Sequence, residues 1–168
     1  SLAEQLVADA AVAIGVAAVP VDRIDDPETN MNELTVEAQA RALSKVDADG
    51  LDGYVDAGDT DADRFGRRVA ARVPNVGTIT AEHGADANDP VVGAASVVAK
   101  VRRDDHVAAL AEEYGRDVGS GYPSDPTTRE FLETYLDETG GLPACARRSW
   151  KTCEELVATA EQAGLADF

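Results

Sequence analysis

The spacing of apolar and polar positions predicts strands that alternate with helices in the first half of the chain. Residues 2–9 have the pattern of a helix end, and the apolar run 12–19 is typical of a buried strand that Pro20 ends. Shorter apolar segments predict strands at 54–56 and 76–80. This alternation indicates that the first half of the chain contributes a sheet.

Helices are predicted where a capping residue precedes apolar positions that recur every three or four residues. We expect Asn32 to cap one such helix, and Asp89 and Asp125, each followed by proline, to begin two others. From residue 61 onward, the helical segments cover residues 61–73, 90–114, 126–139 and 152–163. The pattern predicts an α/β domain, with its core over residues 1–115 and a helical C-terminal portion of the same domain over 116–168.

The composition is strongly acidic and poor in lysine. Fifteen Lys and Arg residues stand against 32 Asp and Glu residues, so the formal net charge is −17, and only three residues are lysine. This balance argues against a basic nucleic-acid clamp or a protein that binds anionic membranes. Because 1 M salt screens charges over about 3 Å, we interpret the acidity as an adaptation to molar intracellular salt. The alternative is an ordinary acidic protein with a solvated face.

Several features that would indicate other classes of protein are missing from the sequence. No apolar run approaches the roughly 18 residues of a membrane-spanning helix, and no secretory signal is visible. Cys145 and Cys153 lack the spacing of a metal site or a disulfide framework, and His83 is expected to form a hydrogen bond at a strand end. We therefore expect a soluble cytoplasmic protein.

Two aspartates occupy positions where a sheet commonly binds ligands. Asp56 ends one predicted strand, and Asp86 follows the next, so both could meet at the carboxyl edge of the sheet and bind one Mg²⁺. The alternative is that they are loop and cap residues of a very acidic chain. A calcium loop beginning at Asp59 is excluded, since its sixth and twelfth positions are Arg64 and Ala70 instead of glycine and glutamate.

Basic residues are concentrated in the second half of the chain. Eight of the fifteen lie between residues 100 and 151. They include two tight groups, which are Lys100, Arg102 and Arg103, and Arg147, Arg148 and Lys151. Trp150, the only tryptophan, lies inside the second group, and basic and aromatic residues together suit a phosphate backbone with a stacked sugar or base. The alternative is an amphipathic helix with a tryptophan in the core.

Five ordered motifs resemble those of ribonuclease HII. Three segments carry most of the resemblance: AASVVAKVRRD at 94–104, GSGYPSDP at 119–126 and RRSWKT at 147–152. The last two are similar to motifs of the archaeal branch of that family. YVDA at 54–57 and EHGAD at 82–86 match the acidic motifs of the family, except that Gly84 stands where the family usually has lysine.

The resemblance implies a ribonuclease H-like mixed sheet flanked by helices, in a protein that acts as a monomer. It implies hydrolysis of the RNA strand in RNA/DNA hybrids, including at single embedded ribonucleotides, with 5′-phosphate and 3′-hydroxyl products. It further implies two divalent ions, Mg²⁺ or Mn²⁺, held by four carboxylates, of which Asp56 and Asp86 match the third and fourth. Two ions about 4 Å apart stabilise both the attacking and the leaving oxygen.

The resemblance also assigns substrate-binding residues. Ser96 and Lys100 match positions that face the phosphate backbone, and Tyr122 matches the tyrosine that packs on the sugar beside the scissile junction. The 2′-hydroxyl is the group that distinguishes RNA from DNA there. The basic group of the RRSWKT motif is expected to contact the same substrate, through Arg147, Arg148 and Lys151.

One departure from the family pattern concerns the other two carboxylates. The family holds them in a DEAGRG- or DEAGKG-like motif on the first strand, and this sequence contains no such motif. In this sequence, the predicted strand 12–19 corresponds to the third strand of the family's fold, and the helix end at 2–9 comes before it. We therefore expect an N-terminally truncated chain with little or no activity as it stands. The alternative is a non-catalytic nucleic-acid-binding fragment or a degenerate homologue.

Overall fold

The computed structural model describes residues 2–166 of the chain and the side chains of residues 2–162. Its elements, in chain order, are α1 (Leu2–Ala8), α2 (Val21–Ile24), α3 (Met31–Leu43), β1 (Gly53–Asp56), α4 (Ala62–Ala70), β2 (Ile79–Glu82), α5 (Ala85–Asn88), α6 (Pro90–Tyr114), α7 (Pro126–Thr139) and α8 (Lys151–Ala166). In this part of the chain, no helix has both the length and the apolar character that crossing a membrane requires.

The chain divides into two compact units. The first is formed by residues 2–19 and 28–101, and the second by residues 20–27 and 102–166. Helix α6 contributes to both units. The first unit contains both strands and the second is helical, which confirms the predicted α/β class.

The core of the first unit lies between the sheet and helices α3 and α4. Strands β1 and β2 are parallel, with Val55 opposite Ala81 and Asp56 opposite Glu82. Val55 belongs to a buried apolar cluster whose other members are Val36, Ala40, Phe65, Val69 and Val73. Because successive side chains of a strand point to opposite faces, Asp56 and Glu82 lie on the face away from this core.

Side-chain caps begin the two long helices of the first unit. Asp89 accepts hydrogen bonds at 2.8 and 3.0 Å from two backbone amides of the first turn, which confirms the predicted start of α6. For α3, the prediction of Asn32 as the cap is wrong. The cap is Asn30, whose Oδ1 accepts a hydrogen bond from Glu33 N at 3.0 Å. Asn30 has the extended backbone that aims a side chain at the first turn, whereas Asn32 lies within that turn.

The predicted strand over residues 12–19 is wrong, because this segment forms no ladder with β1 or β2. It packs against α3 instead. A Cβ atom on Gly15 would lie 2.0 Å from the Ala42 carbonyl oxygen, and the Lys45 ammonium donates to the Val16 carbonyl. An apolar run predicts that a segment approaches a core, whereas a strand also needs a neighbouring strand to pair its backbone groups.

Strand β2 begins later than the apolar run 76–80 suggests. Gly77 N donates to the Leu51 carbonyl at 2.8 Å, and Thr78 N donates to Asp52 Oδ1 at 2.7 Å. The first residues of the run are therefore irregular and hydrogen-bond to the loop before β1, whereas the strand ladder covers residues 79–82.

The second unit has a core built around aromatic side chains. The Tyr114 ring contacts Phe131 and Tyr135, with ring centroids 5.3 and 5.5 Å apart and the rings close to perpendicular. Asp125 caps the start of α7, and Gly140 ends it with a φ of 74°, as predicted. These caps therefore set the two ends of α7, and the aromatic cluster packs against its buried side.

Candidate active site

A backbone hydrogen bond links the two predicted acidic motifs. Asp56 is the last residue of β1, and its Oδ1 accepts a hydrogen bond from Ala85 N at 3.1 Å. Ala85 is fully buried at the start of α5, and Asp86 follows it in the first turn. Gly84 precedes the helix with a φ of 68°, a left-handed conformation that glycine adopts without steric cost. The Asp56 carboxylate is thereby held beside the turn that carries Asp86.

Helix α6 holds Asp86 from the other side. Ser96 Oγ donates a hydrogen bond to Asp86 Oδ2 at 3.5 Å. A Cβ atom on Gly93 would lie 2.9 Å from the Asp86 carbonyl oxygen, so this close approach of α6 to α5 depends on glycine. Asp56, Asp86 and Ser96, three of the predicted site residues, are therefore brought together in the first unit.

Lys100 lies one helical turn after Ser96 on α6, so the two residues share a face of that helix. The Lys100 side chain is exposed, whereas Ser96 is half-buried against Asp86. Lys100 is therefore accessible to solvent on the helix face that also carries Ser96.

The two aspartates have the chemistry of a divalent-metal site but not its full number of ligands. Carboxylate oxygens are the donors that Mg²⁺ and Mn²⁺ prefer, and Asp56 and Asp86 each have one oxygen outside the hydrogen bonds described above. Among the residues whose side chains are described, no group of three His, Cys, Asp or Glu is placed to hold a metal ion. Asp56 and Asp86 therefore have the chemistry to supply part, but not all, of the ligands of a divalent-metal site.

Glu82 lies directly beside Asp56 in the sheet register, yet its carboxylate has another partner. The Tyr54 hydroxyl donates to Glu82 Oε2. This hydrogen bond, with a smaller effect of burial, raises the pKa of Tyr54 above its ordinary value. The sequence does not reveal this pair, because the register that puts Tyr54 and Glu82 on one face depends on where β2 begins.

Asp59 is a structural carboxylate within the same acidic run. Its side chain is 2% exposed, and both of its oxygens accept hydrogen bonds from Arg64 Nη2, at 2.9 and 2.7 Å. The Arg64 hydrogen bond holds the pKa of Asp59 below its usual value despite burial. The Asp59 carbonyl oxygen also lies 2.7 Å from His83 Nε2, as expected for a hydrogen-bonding histidine at a strand end. The loops that follow β1 and β2 are thus joined.

Tyr122 occupies the loop before α7 in the second unit. Its side chain is exposed, and the Arg103 guanidinium carbon lies 4.0 Å from the ring centroid. Asp125 accepts a hydrogen bond from Ser120 N at 2.6 Å, and the hydrogen bonds from Ser120 hold the pKa of Asp125 below its usual value. The predicted sugar-packing residue therefore stands on a loop with defined hydrogen bonds.

The turn before α8 is organised by Asp25. The Asp25 carboxylate accepts hydrogen bonds from Arg148 N at 2.8 Å, Ser149 N at 3.1 Å and Ser149 Oγ at 2.6 Å. Burial opposes ionisation of Asp25, but these hydrogen bonds outweigh it and leave the pKa of Asp25 below its usual value. The Arg148 side chain remains exposed. The sequence does not reveal this role of Asp25, because its partners lie more than a hundred residues further along the chain.

The other members of the predicted basic group have partners of their own. The Arg147 guanidinium carbon lies 4.4 Å from the centre of the Trp150 ring, and Trp150 packs on the apolar core of the second unit. Lys151 is exposed and pairs with Glu155 at 3.3 Å. Trp150 is therefore half-buried against the core, close to the alternative left open by the sequence. Arg148 and Lys151 are exposed, whereas Arg147 is half-buried.

Comparison with known proteins identifies the family of the chain. A family model described as ribonuclease HII matches residues 2–153. The ribonuclease HII of Haloarcula marismortui is 64% identical over 160 residues, which cover 95% of this chain and 75% of that relative. The ribonuclease HII of Halobacterium salinarum strain R1 is 61% identical over 159 residues, with coverage of 95% and 75%. Both relatives come from haloarchaea, which agrees with the interpretation of the acidic composition.

Two solved structures share the fold. The ribonuclease H2 of Pyrococcus horikoshii OT3 superposes with a TM-score of 0.78 at 39% identity, covering 86% of this chain and 68% of that one. The ribonuclease HII of Archaeoglobus fulgidus, solved in complex with PCNA, gives a TM-score of 0.68 at 35% identity, with coverage of 79% and 64%. The fold is therefore the ribonuclease H-like α/β fold that the motifs implied.

Proposed function

Because the chain belongs to the ribonuclease HII family of type 2 ribonucleases H, endonucleases for the RNA strand of RNA/DNA hybrids, we propose that it also cuts at ribonucleotides embedded in duplex DNA. The expected products carry a 5′ phosphate and a 3′ hydroxyl. The observation that supports this role is the hydrogen bond from Ala85 N to Asp56 Oδ1, which aligns the two acidic motifs of the family.

Asp56 and Asp86 are the residues of this chain that would hold divalent metal. When bound, two such ions would supply an activated water and stabilise the leaving oxygen of the phosphodiester. The Ala85 amide donates a hydrogen bond to Asp56 Oδ1 and so fixes the orientation of this carboxylate. The Ser96 hydroxyl donates a hydrogen bond to Asp86 Oδ2 and so helps to orient the second carboxylate. Both aspartates are thus oriented before substrate arrives.

Three groups of residues are proposed to contact the substrate. Ser96 and Lys100, on one face of α6, would contact the phosphate backbone. Tyr122 would pack on the sugar at the RNA–DNA junction. A further set would contact the backbone of the same duplex, from the turn and first residue of α8: Arg147, Arg148 and Lys151. In molar salt, counterion release adds little to affinity, so stacking and hydrogen bonds carry a larger share.

The 168-residue polypeptide by itself is proposed to bind hybrids and to cleave them slowly or not at all. Its sequence supplies two of the four carboxylates of the family pattern, and the described side chains form no cluster of three metal-binding groups. The same observation favours the second candidate function, a nucleic-acid-binding protein without catalysis. The two candidate functions differ in one expected result: only the enzyme would cleave its substrate when the family's Asp-Glu-Ala-Gly segment is present.

The decisive experiment compares two polypeptides on one substrate. The first is the 168-residue chain, and the second, the extended chain, carries a family segment with the Asp-Glu-Ala-Gly motif in front of it. Each is incubated with Mg²⁺ or Mn²⁺ and a labelled DNA duplex containing one ribonucleotide. We expect cleavage beside the ribonucleotide by the extended chain alone. Absence of cleavage by the extended chain, with binding retained, would favour the non-catalytic role.

We further propose that the protein acts as a monomer in the cytoplasm. The acidic composition suits molar intracellular salt, which supports that location. Light scattering after size-exclusion chromatography in molar KCl should give the mass of one chain, and a dimer mass would contradict the monomer.

A further inference from the structure

The loop that carries Tyr122 is fastened to α7 by its backbone. Gly121 N donates to Thr128 Oγ1 at 2.9 Å, and that hydroxyl donates in turn to the Val118 carbonyl at 2.9 Å. Thr128 is buried, so these bonds are shielded from water. Gly119 has a φ of 66°, and a Cβ atom there would lie 2.6 Å from Thr128 N, so the close approach requires glycine. The backbone around Tyr122 is therefore preformed.

Backbone hydrogen bonds do not fix the direction of the Tyr122 ring, which has two rotatable side-chain bonds. Arg103 of α6 supplies that contact. Its guanidinium carbon lies 4.0 Å from the ring centroid, and its Nη2 donates to the Ser120 carbonyl. One planar side chain therefore contacts both the ring and the backbone two residues earlier. Tyr122 itself remains 53% exposed, so part of the ring is open to solvent.

We propose that Arg103 is a positioning residue, which holds the Tyr122 ring in the orientation that receives the sugar at the RNA–DNA junction. This inference rests on the proposed role of Tyr122. A ring that is already ordered loses less conformational freedom when the substrate binds. Lysine cannot replace Arg103, because only the planar guanidinium can stack on the ring while it donates to the Ser120 carbonyl.

The contact is tested first without substrate. Tyrosine rings are labelled with ¹³C, and the Tyr122 resonance is assigned from Y122F. In R103M and in R103K, the Tyr122 ring should lose its distinct chemical shift and become more mobile. The matched control is R102M, which removes the same charge from the exposed neighbouring residue. An unchanged Tyr122 resonance in R103M would overturn the proposed contact.

The effect on substrate binding is tested by measuring the affinity for a fluorescent RNA/DNA hybrid. EDTA is added to remove divalent ions, so that cleavage does not interfere. R103M should weaken binding about two- to fivefold beyond the effect of R102M, as an exposed cation–π contact predicts. In the Y122A background, R103M and R102M should have equal effects, because Arg103 acts through the ring. R103K should bind like R103M, although it retains the charge. Circular dichroism verifies that each variant is folded.

Two results would contradict the inference, and they differ from failure of the proposed function. A loss of affinity in R103M that persists in the Y122A background would mean that Arg103 contacts the nucleic acid directly. Full affinity in R103K would mean that charge alone is required. Unchanged affinity in Y122A would remove Tyr122 from the substrate site and end the functional role of Arg103, while the ring resonance would still decide whether the contact exists.

Discussion

At the scale of single residues, the acidic chain separates carboxylates that can bind metal from carboxylates that stabilise the fold. Asp56 and Asp59 lie three residues apart in one run of aspartates, yet their surroundings differ. Asp56 is half-buried and keeps one oxygen available, whereas both oxygens of Asp59 accept hydrogen bonds from Arg64. The sequence singled out Asp56 by its position at a strand end, but it did not predict the structural role of Asp59, because nothing in the run indicates which aspartate an arginine will reach.

Replacement of Asp56 tests its role as a ligand. In the extended chain, D56N should lower kcat by about two orders of magnitude or more, because the site loses one of its anionic ligands. The melting temperature should change little, since the asparagine carbonyl can still accept the hydrogen bond from Ala85 N. The matched control is D63N, an equal charge change at an exposed position. Unchanged kcat in D56N would remove Asp56 from the site.

Replacement of Asp59 tests a structural role through pH. Its pKa in the folded protein is lowered, so its ion pair stabilises the fold above the pKa of the unfolded chain and is lost as the pH falls through the folded value. D59N should therefore lower the melting temperature near neutral pH. The difference in melting temperature between D59N and the parent chain should shrink below roughly pH 4, which is close to the ordinary pKa of an aspartate. A constant difference across thermal melts from neutral to acidic pH would contradict this assignment.

At the scale of elements, capping residues predicted helices better than apolar runs predicted strands. Asp89 and Asp125 each begin a helix where expected, because a side-chain cap is a local interaction within four residues. The apolar run 12–19 has the pattern of a strand, but strand pairing depends on a neighbouring strand, which can lie anywhere in the sequence. Motif resemblance placed Asp56 and Asp86 near each other, and the parallel register of β1 and β2 supplies the geometric reason.

The packing of α6 on α5 gives a prediction about an element. In the interior of a helix, Gly→Ala favours the helical state by about 1 kcal/mol. At Gly93, however, the added methyl group would lie 2.9 Å from the Asp86 carbonyl oxygen, so α5 must shift. Overpacking of this kind costs about 1–3 kcal/mol.

We therefore expect G93A in the extended chain to lower both the melting temperature and kcat, since the shift moves Asp86. G141A is the control, because a methyl group at Gly141 meets no atom within 4 Å. If G93A were more stable than the parent and equally active, the close packing of α6 against Asp86 would be wrong.

At the scale of the whole molecule, added salt has two opposing effects on the stability of a chain whose net charge is −17. Salt weakens favourable ion pairs, such as Arg72 with Glu33 at 2.5 Å and Arg116 with Glu138 at 2.9 Å. Exposed pairs of this kind contribute about 0–1 kcal/mol each. Salt also screens the repulsion among the acidic residues, which outnumber the basic ones by more than two to one. Repulsion acts over the whole surface, so its relief should dominate.

The melting temperature should therefore rise between 0.1 M and 1 M KCl, as the screening length falls from about 10 Å to about 3 Å. Sucrose serves as the control, because it strengthens burial by exclusion from the surface without screening charge. A melting temperature that rises more in KCl than in sucrose at equal water activity identifies the screening of charge. A melting temperature that falls as KCl is added would mean that the ion pairs outweigh the repulsion. That result would overturn the interpretation that this acidic composition is suited to molar salt.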